Sequence, residues 1–184
     1  TTAAMNSAIN QKSDAILSTV SSTYTAKADF NNLSIGGRNY YTKTSNMFIL
    51  TGEGTIARDN SINGFVLTAD SNGDVLCRIV CIWEGYKYYT VSGYFKADTQ
   101  CNMHMDVCDY DMGNKSVSTT YTKISGTAYV DRATDDIYNF VDIECLGIGA
   151  GNKVYIKDFK VEEGQKATSW SPAPEDINAS ITAV

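Results

Sequence analysis

From Ile35 onward the chain is written in short apolar segments separated by Gly, Asn and Asp. They read "NMFIL", "GFVLTADSNGD", "VLCRIVCIW", "KYYTVSGYFKAD", "NMHMDVCDYDMGN", "DIYNFVDIECLG" and "NKVYIKDFKVEEG". Turn residues recurring at roughly 8–15-residue intervals leave no room for helices and predict about seven or eight strands, hence an all-β sandwich or barrel. No helical period of useful length follows residue 30. The 12 Tyr against 6 Phe suit this reading, because a ring with a polar tip fits a half-buried sheet face.

Alternate residues of a strand point to opposite faces, so parity assigns a core side. In "YYTVSGYFKA" Tyr89, Val91 and Phe95 share one side, and Thr90, Ser92, Tyr94 and Lys96 the other. In "CNMHMDVCDY" Met103, Met105 and Val107 oppose His104, Asp106 and Cys108. In "DIYNFVDIEC" Val141, Ile143 and Cys145 oppose Tyr138, Phe140, Asp142 and Glu144. Each strand thus has one core face and one mixed face bearing Tyr, His and acids. Trp83 shares parity with Val75, Cys77, Ile79 and Cys81 and is expected in the core. In "VYIKDFKV" the apolar phase slips between Ile156 and Phe159, which predicts a β-bulge near Lys157–Asp158.

The two ends differ from this pattern. Residues 1–30 place Met5, Ile9, Ile16 and Val20 at mostly helical spacings, a stripe too thin for an isolated helix. The expectation is a helical linker that pairs with copies of itself as a short coiled coil, a trimer; the alternative is a flexible linker. The sandwich is expected over 35–176. Near its end "KATSWSPAPED" holds Trp170 and both prolines, Pro172 and Pro174. Each Pro removes a backbone donor and biases the preceding residue to extended geometry. This reads as a closing clasp in which Trp170 plugs one end of the core, followed by an exit linker over 177–184 that resembles the start of a next helix. The two glycines before Arg38 permit a tight entry into the first strand, and Arg38 is expected to brace that entry against Glu162 or Glu163. The chain starts in mid-pattern, without Met or a signal-peptide profile, and reads as part of something longer.

Composition excludes several functions. With a net charge of −6 and no Lys/Arg cluster, neither a nucleic-acid groove nor a polybasic membrane surface is expected. No apolar run reaches membrane-spanning length. Five irregularly spaced cysteines and a single histidine fit neither a disulfide framework nor a zinc site, so the thiols are expected reduced and buried. His104 has no nucleophile turn near it, and acids on a sheet face are usually solubilising, so no catalysis is expected. No cofactor is required.

"IGGRNYYTKTS" (Ile35–Ser45), "YYTVSGYFKA" (Tyr88–Ala97) and "VYIKDFKVEEGQKATSWSPAPED" (Val154–Asp176) resemble, in this order, a recurrent module of tail proteins from phages and prophages of Gram-positive hosts. The resemblance implies a jelly-roll sandwich like carbohydrate-binding modules. It also implies a place in the virion, in a distal-tail, baseplate or receptor-binding protein assembled in the bacterial cytoplasm. The implied partners are a host cell-surface glycan and neighbouring tail domains. An aromatic ring that stacks on a sugar, with planar polar groups for its hydroxyls, makes Tyr94, His104, Asp106, Tyr138, Asp142 and Glu144 the candidate ligand-binding set, provided their strands are neighbours. Related carbohydrate modules often hold a calcium where the last strand meets the first, which makes Asp158 a candidate ligand for a structural calcium. The alternatives are an architectural spacer without ligand and an accessory module of a secreted glycoside hydrolase.

Overall fold

The structure, a computed structural model, describes residues 11–13, 15, 16, 18, 19, 37–81, 84–133 and 139–182. The chain divides into two compact units, Thr1–Ser34 and Ile35–Val184. In the first, the described residues are helical, and Ile16, one member of the expected stripe, is 63% exposed. Met5, Ile9 and Val20 lie outside the described residues.

The second unit is a jelly-roll β-sandwich. Its strands are β1 (Met47–Thr51), β2 (Gly54–Asp59), β3 (Gly64–Ala69), β4 (Gly73–Val80), β5 (Lys87–Ala97), β6 (Cys101–Val107), β7 (Tyr110–Val117), β8 (Thr122–Val130), β9 (Phe140–Ile148) and β10 (Lys153–Glu163). They form two five-stranded antiparallel sheets, β1-β4-β9-β6-β7 and β2-β3-β10-β5-β8. Neighbours in each sheet come mostly from distant sequence, because the chain crosses repeatedly between layers. The core lies between the sheets. Val75, Cys77, Ile79, Met103, Met105, Ile143 and Cys145 face Phe65, Leu67, Tyr89, Val91, Phe95, Ile156, Phe159 and Val161, all at most 1% exposed. Parity placed every residue of the β5, β6 and β9 core faces on the correct side.

Two strands differ from expectation. In "DYDMGN", rich in turn residues, only Asp109 (φ 67) belongs to the turn, with Cys108 (φ 52) before it, and Tyr110–Asn114 lie in β7. Two consecutive left-handed residues make the two-residue hairpin loop whose twist matches the flanking strands. Cys108, assigned by parity to the outer side, is consequently buried, its thiol donating to the Phe140 carbonyl. Strand β8, "TKISGTAYV", has no clear apolar signal. Its inward side includes Gly126, where a Cβ would come within 2.7 Å of the Met112 Cβ, so the position must stay small. All five cysteines are free thiols; Cys101 is half-buried and the others are buried.

The bulge in β10 falls where the phase slip put it. Register with β5 shifts between Lys157 and Lys160, and Asp158 takes φ 50. Its carboxylate accepts from the Asn63 amide at 2.9 Å, and the Phe159 N–H donates to the Asn63 carbonyl. The extra residue returns Phe159 and Val161 to the core. A side chain at Gly64 would meet the Ile156 carbonyl at 1.8 Å, so the backbone approach that seats the bulge requires glycine there.

The clasp closes the domain, but not by plugging the core. Residues 164–172 run over the outer face of β10 and β5. Lys160 and Glu162 point outward, yet are 1% and 0% exposed beneath it and pair at 3.0 Å. Lys160 Nζ donates to Thr168 Oγ1 (2.6 Å) and to the Ser169 carbonyl (3.0 Å); Thr168 donates both its N–H and its hydroxyl to Glu162. Trp170 is only half-buried and belongs to this outer layer, while Ala173 is the fully buried residue of the segment. The expected plug therefore became a cover, because the segment crosses a sheet face rather than its end.

Entry and exit are joined by Asn39. Its amide donates to the carbonyls of Phe159 and Ser171 and accepts from the N–H groups of Tyr41 and Val161, which saturates it at 2% exposure. The Arg38 brace reaches Glu175, not Glu162 or Glu163; those pair with Lys160 and Lys87. The chain from the second proline on is a helix, Pro174–Thr182, with Pro174 at the first position, where its missing N–H costs nothing. Residues 177–182 of the expected exit linker are thus helical. Asp176 in the first turn accepts from the Lys43 N–H.

Candidate functional site

The outer face of the β1-β4-β9-β6-β7 sheet gathers four of the six candidates. Strand register sets this up. Arg78 on β4 lies opposite Asp142 on β9, which lies opposite Asp106 on β6. In the next row Leu76 faces Glu144, and Glu144 faces His104. His104, Asp106, Asp142 and Glu144 therefore form a two-by-two block on adjacent strands.

Arg78, which sequence reading passed over, organises that block. Its guanidinium donates from Nε to Asp142 Oδ1 (2.8 Å) and from Nη2 to Oδ2 (2.6 Å), a bidentate fork. The same plane lies 3.3 Å from the centroid of the Phe140 ring, which it covers. Burial raises the Asp142 pKa, the Arg78 fork works against that, and the same contact raises Arg78. One signal in the sequence was a lone arginine in the apolar run "VLCRIVC". Its partner was invisible until β4 and β9 became neighbours.

Asp106 has no such partner. Its Oδ1 is buried and accepts no hydrogen bond from any described residue. Burial first, and then the Asp142 charge, push its carboxyl up to about 6. His104 Nε2 lies 2.9 Å from Asp111 Oδ1 on β7. At the β1 edge of this sheet Phe48 and Leu50 are exposed.

Tyr94 is not part of the block. It is 41% exposed, but on β5 of the opposite sheet, between Lys157 and Lys123. Parity shows that a residue points outward; it cannot say from which of the two layers. Tyr138 and Trp83 lie outside the described residues. Asp158, the candidate calcium ligand, has one carboxylate oxygen occupied by the Asn63 amide. No group of three His, Cys, Asp or Glu side chains converges among the described residues.

No protein-family model and no curated protein matches the sequence. Among solved structures, the chain is similar to the apo form of BiXyn10A CBM1, with 9% identity and a TM-score of 0.49 over 71% of this chain and 100% of that one. It is also similar to a mutant of CBM29-2, a family 29 carbohydrate binding module, complexed with mannohexaose (10%, 0.49, 70% of this chain and 92% of that one). A third is the CBM22-1 xylan-binding domain from Paenibacillus barcinonensis Xyn10C (10%, 0.46, 72% and 95%). At such identities and TM-scores, the likeness assigns no role to any residue of this chain.

Proposed function

We propose that the sandwich is a non-catalytic carbohydrate-recognition module whose ligand lies on the outer face of the β1-β4-β9-β6-β7 sheet. The observation that carries this reading is the Arg78–Asp142 fork, held flat over Phe140 with Glu144, His104 and Asp106 beside it. Sugar hydroxyls are recognised by planar, bidentate groups fixed in advance, and their ring C–H faces by apolar surface. Here the polar groups stand at strand spacing on a rigid sheet, with Phe48 and Leu50 supplying apolar surface at its edge. We read the face as non-catalytic, since Asp142 is held by the Arg78 fork rather than free to act as a nucleophile or base.

The wider setting we infer is a phage-type tail in the virion, bound to a host cell-surface glycan and to neighbouring tail domains, trimeric through residues 1–30. The quoted resemblance over Ile35–Ser45, Tyr88–Ala97 and Val154–Asp176 supports it. Light scattering on the full chain checks the trimer; a monomer mass removes it.

Recognition is tested on a glycan array that includes Gram-positive wall polysaccharides, with Arg78→Ala and Glu144→Ala alongside the wild type. Binding lost in Arg78→Ala, with β-sheet circular dichroism retained, is the expected result. Unchanged binding in both variants takes the ligand off this face. No binding by the folded wild type favours an architectural spacer.

A further inference from the structure

The opposite sheet carries a second feature of the same chemistry, built by different residues. Trp170 separates two hollows. One, of about 510 Å³ with its open mouth, is lined by Ser92, Tyr94, Lys123, Asp158, Ser169 and Trp170. The other, about 400 Å³, is lined by Tyr41, Lys43, Asn60, Asn63, Asp176 and Trp170 among others. Trp170 is the one residue lining both. Most of each volume is open to solvent, so these are shallow surface hollows rather than enclosed clefts.

The lining selects the ligand class. Each hollow holds one lysine and one aspartate, Lys123 with Asp158 and Lys43 with Asp176. Arg58, also at the second, is engaged by the Tyr41 hydroxyl and the carbonyls of Thr42 and Ser45. The first hollow is thus balanced, and the second carries one net positive charge whose donors are already engaged, so neither offers the converging charges a polyanion or a metal needs. What remains is aromatic surface from Trp170 and Tyr94, amides from Asn60 and Asn63, and serine hydroxyls.

Two further observations point to occupancy. Asn63 (φ 52) and Asp158 (φ 50) are both left-handed, bonded to each other, and each lines one hollow. Strained non-glycine residues held in place by their surroundings gather at ligand sites. The Trp170 Nε1–H is buried and finds no acceptor among the described residues, an exception of the kind that a ligand or an ordered water resolves.

We propose that this clasp-built cleft is a second carbohydrate site, which takes a neutral oligosaccharide across Trp170 and stands apart from the Arg78 face. It would make the sandwich bivalent, with one site on each outer surface. Its formation depends on the clasp, since Ser169 and Trp170 are clasp residues.

The test is NMR on the ¹⁵N-labelled full chain. Two tryptophans give two indole N–H signals, and Trp170→Phe identifies which is which. The probes are mannohexaose, xylohexaose, cellohexaose and tetra-N-acetylchitotetraose, each to ~10 mM, enough to reveal millimolar affinity. The expected result is a saturable shift of the Trp170 indole with at least one probe, retained in Arg78→Ala and lost in Tyr94→Ala. Tyr94 is a surface residue, and an unchanged amide spectrum elsewhere verifies that its variant folds. No indole shift with any of the four, or a shift abolished by Arg78→Ala and kept in Tyr94→Ala, overturns the second site. Either outcome is independent of the array result, which reports on the first face.

Discussion

The two outer faces of this sandwich are built from the same kind of strand and meet opposite fates. On the β1-β4-β9-β6-β7 sheet, outward Arg78, Glu144 and His104 stay half-open; Arg78 forks onto the buried Asp142, and His104 pairs with Asp111 on β7. On the other sheet, outward Thr90, Ser92, Lys160 and Glu162 are at most 3% exposed, because residues 164–172 cross over them. Nothing in the strands themselves separates the two cases. A segment without regular structure converts an ordinary polar face into a buried network, and its rim into a cleft. An ion pair so buried is weak evidence for stability as such. Breaking it from one side is nonetheless costly, because the remaining charge loses its partner.

That contrast can be broken most severely at its buried end. Lys160→Met should cost about 3–5 kcal/mol in urea unfolding, since Glu162 remains desolvated and unpaired, and the double variant Lys160→Met/Glu162→Leu should recover most of it. A single variant as stable as wild type would mean the clasp lifts off readily. Asn39→Ala comes next, at about 2–3 kcal/mol, because it strands buried backbone groups at Val161 and Phe159 where both chain ends are joined. On the open face the same kind of cut should matter less. Arg78→Ala should cost about 1–2 kcal/mol, because the Arg78 side chain is 21% exposed and water can reach the fork. A loss equal to that of Lys160→Met would show that the two faces are energetically alike.

The smallest effect carries a sign. Asp106 titrates near 6 in the fold, above the usual carboxylate value of 3.8. A folded pKa raised above the unfolded one contributes stability that is present below about pH 4 and lost as pH rises through 6. The Asp142 charge adds to the effect; the Asp109 N–H, which outweighs that residue's own charge, and His104 oppose it. Asp106→Asn removes this dependence, so at pH 7 it should be more stable than wild type by about 1–2 kcal/mol after allowance for partial exposure. The advantage should vanish by pH 4, and thermal melts at the two pH values check it.

Within each strand the sequence was informative. Alternation in β5, β6 and β9 gave their core residues, and the slip between Ile156 and Phe159 gave the bulge, because side-chain parity is a property of the backbone alone. Strand β8 was hard to read, since two of its four inward positions are small: Gly126 and Ala128 weaken the apolar alternation of Ile124 and Val130, and Gly126 must stay small against Met112. The candidate block was half legible. His104, Asp106, Asp142 and Glu144 announced an outward polar face, but Tyr94 shared their parity and not their sheet, and Arg78 had no visible partner.

The sequence by itself therefore determined a β-sandwich, the inward and outward residues of β5, β6 and β9, and a chain end that folds back near Trp170. The tertiary structure alone decided which strands became neighbours, and so which outward residues share a face. It alone also decided that the returning segment would lie over a sheet rather than plug the core. The physical reason is one of range. Parity, turn chemistry and proline act over a few residues, whereas the Arg78–Asp142 fork, the Asn39 junction with Ser171 and the shelter over Lys160 depend on the order of strands across two layers.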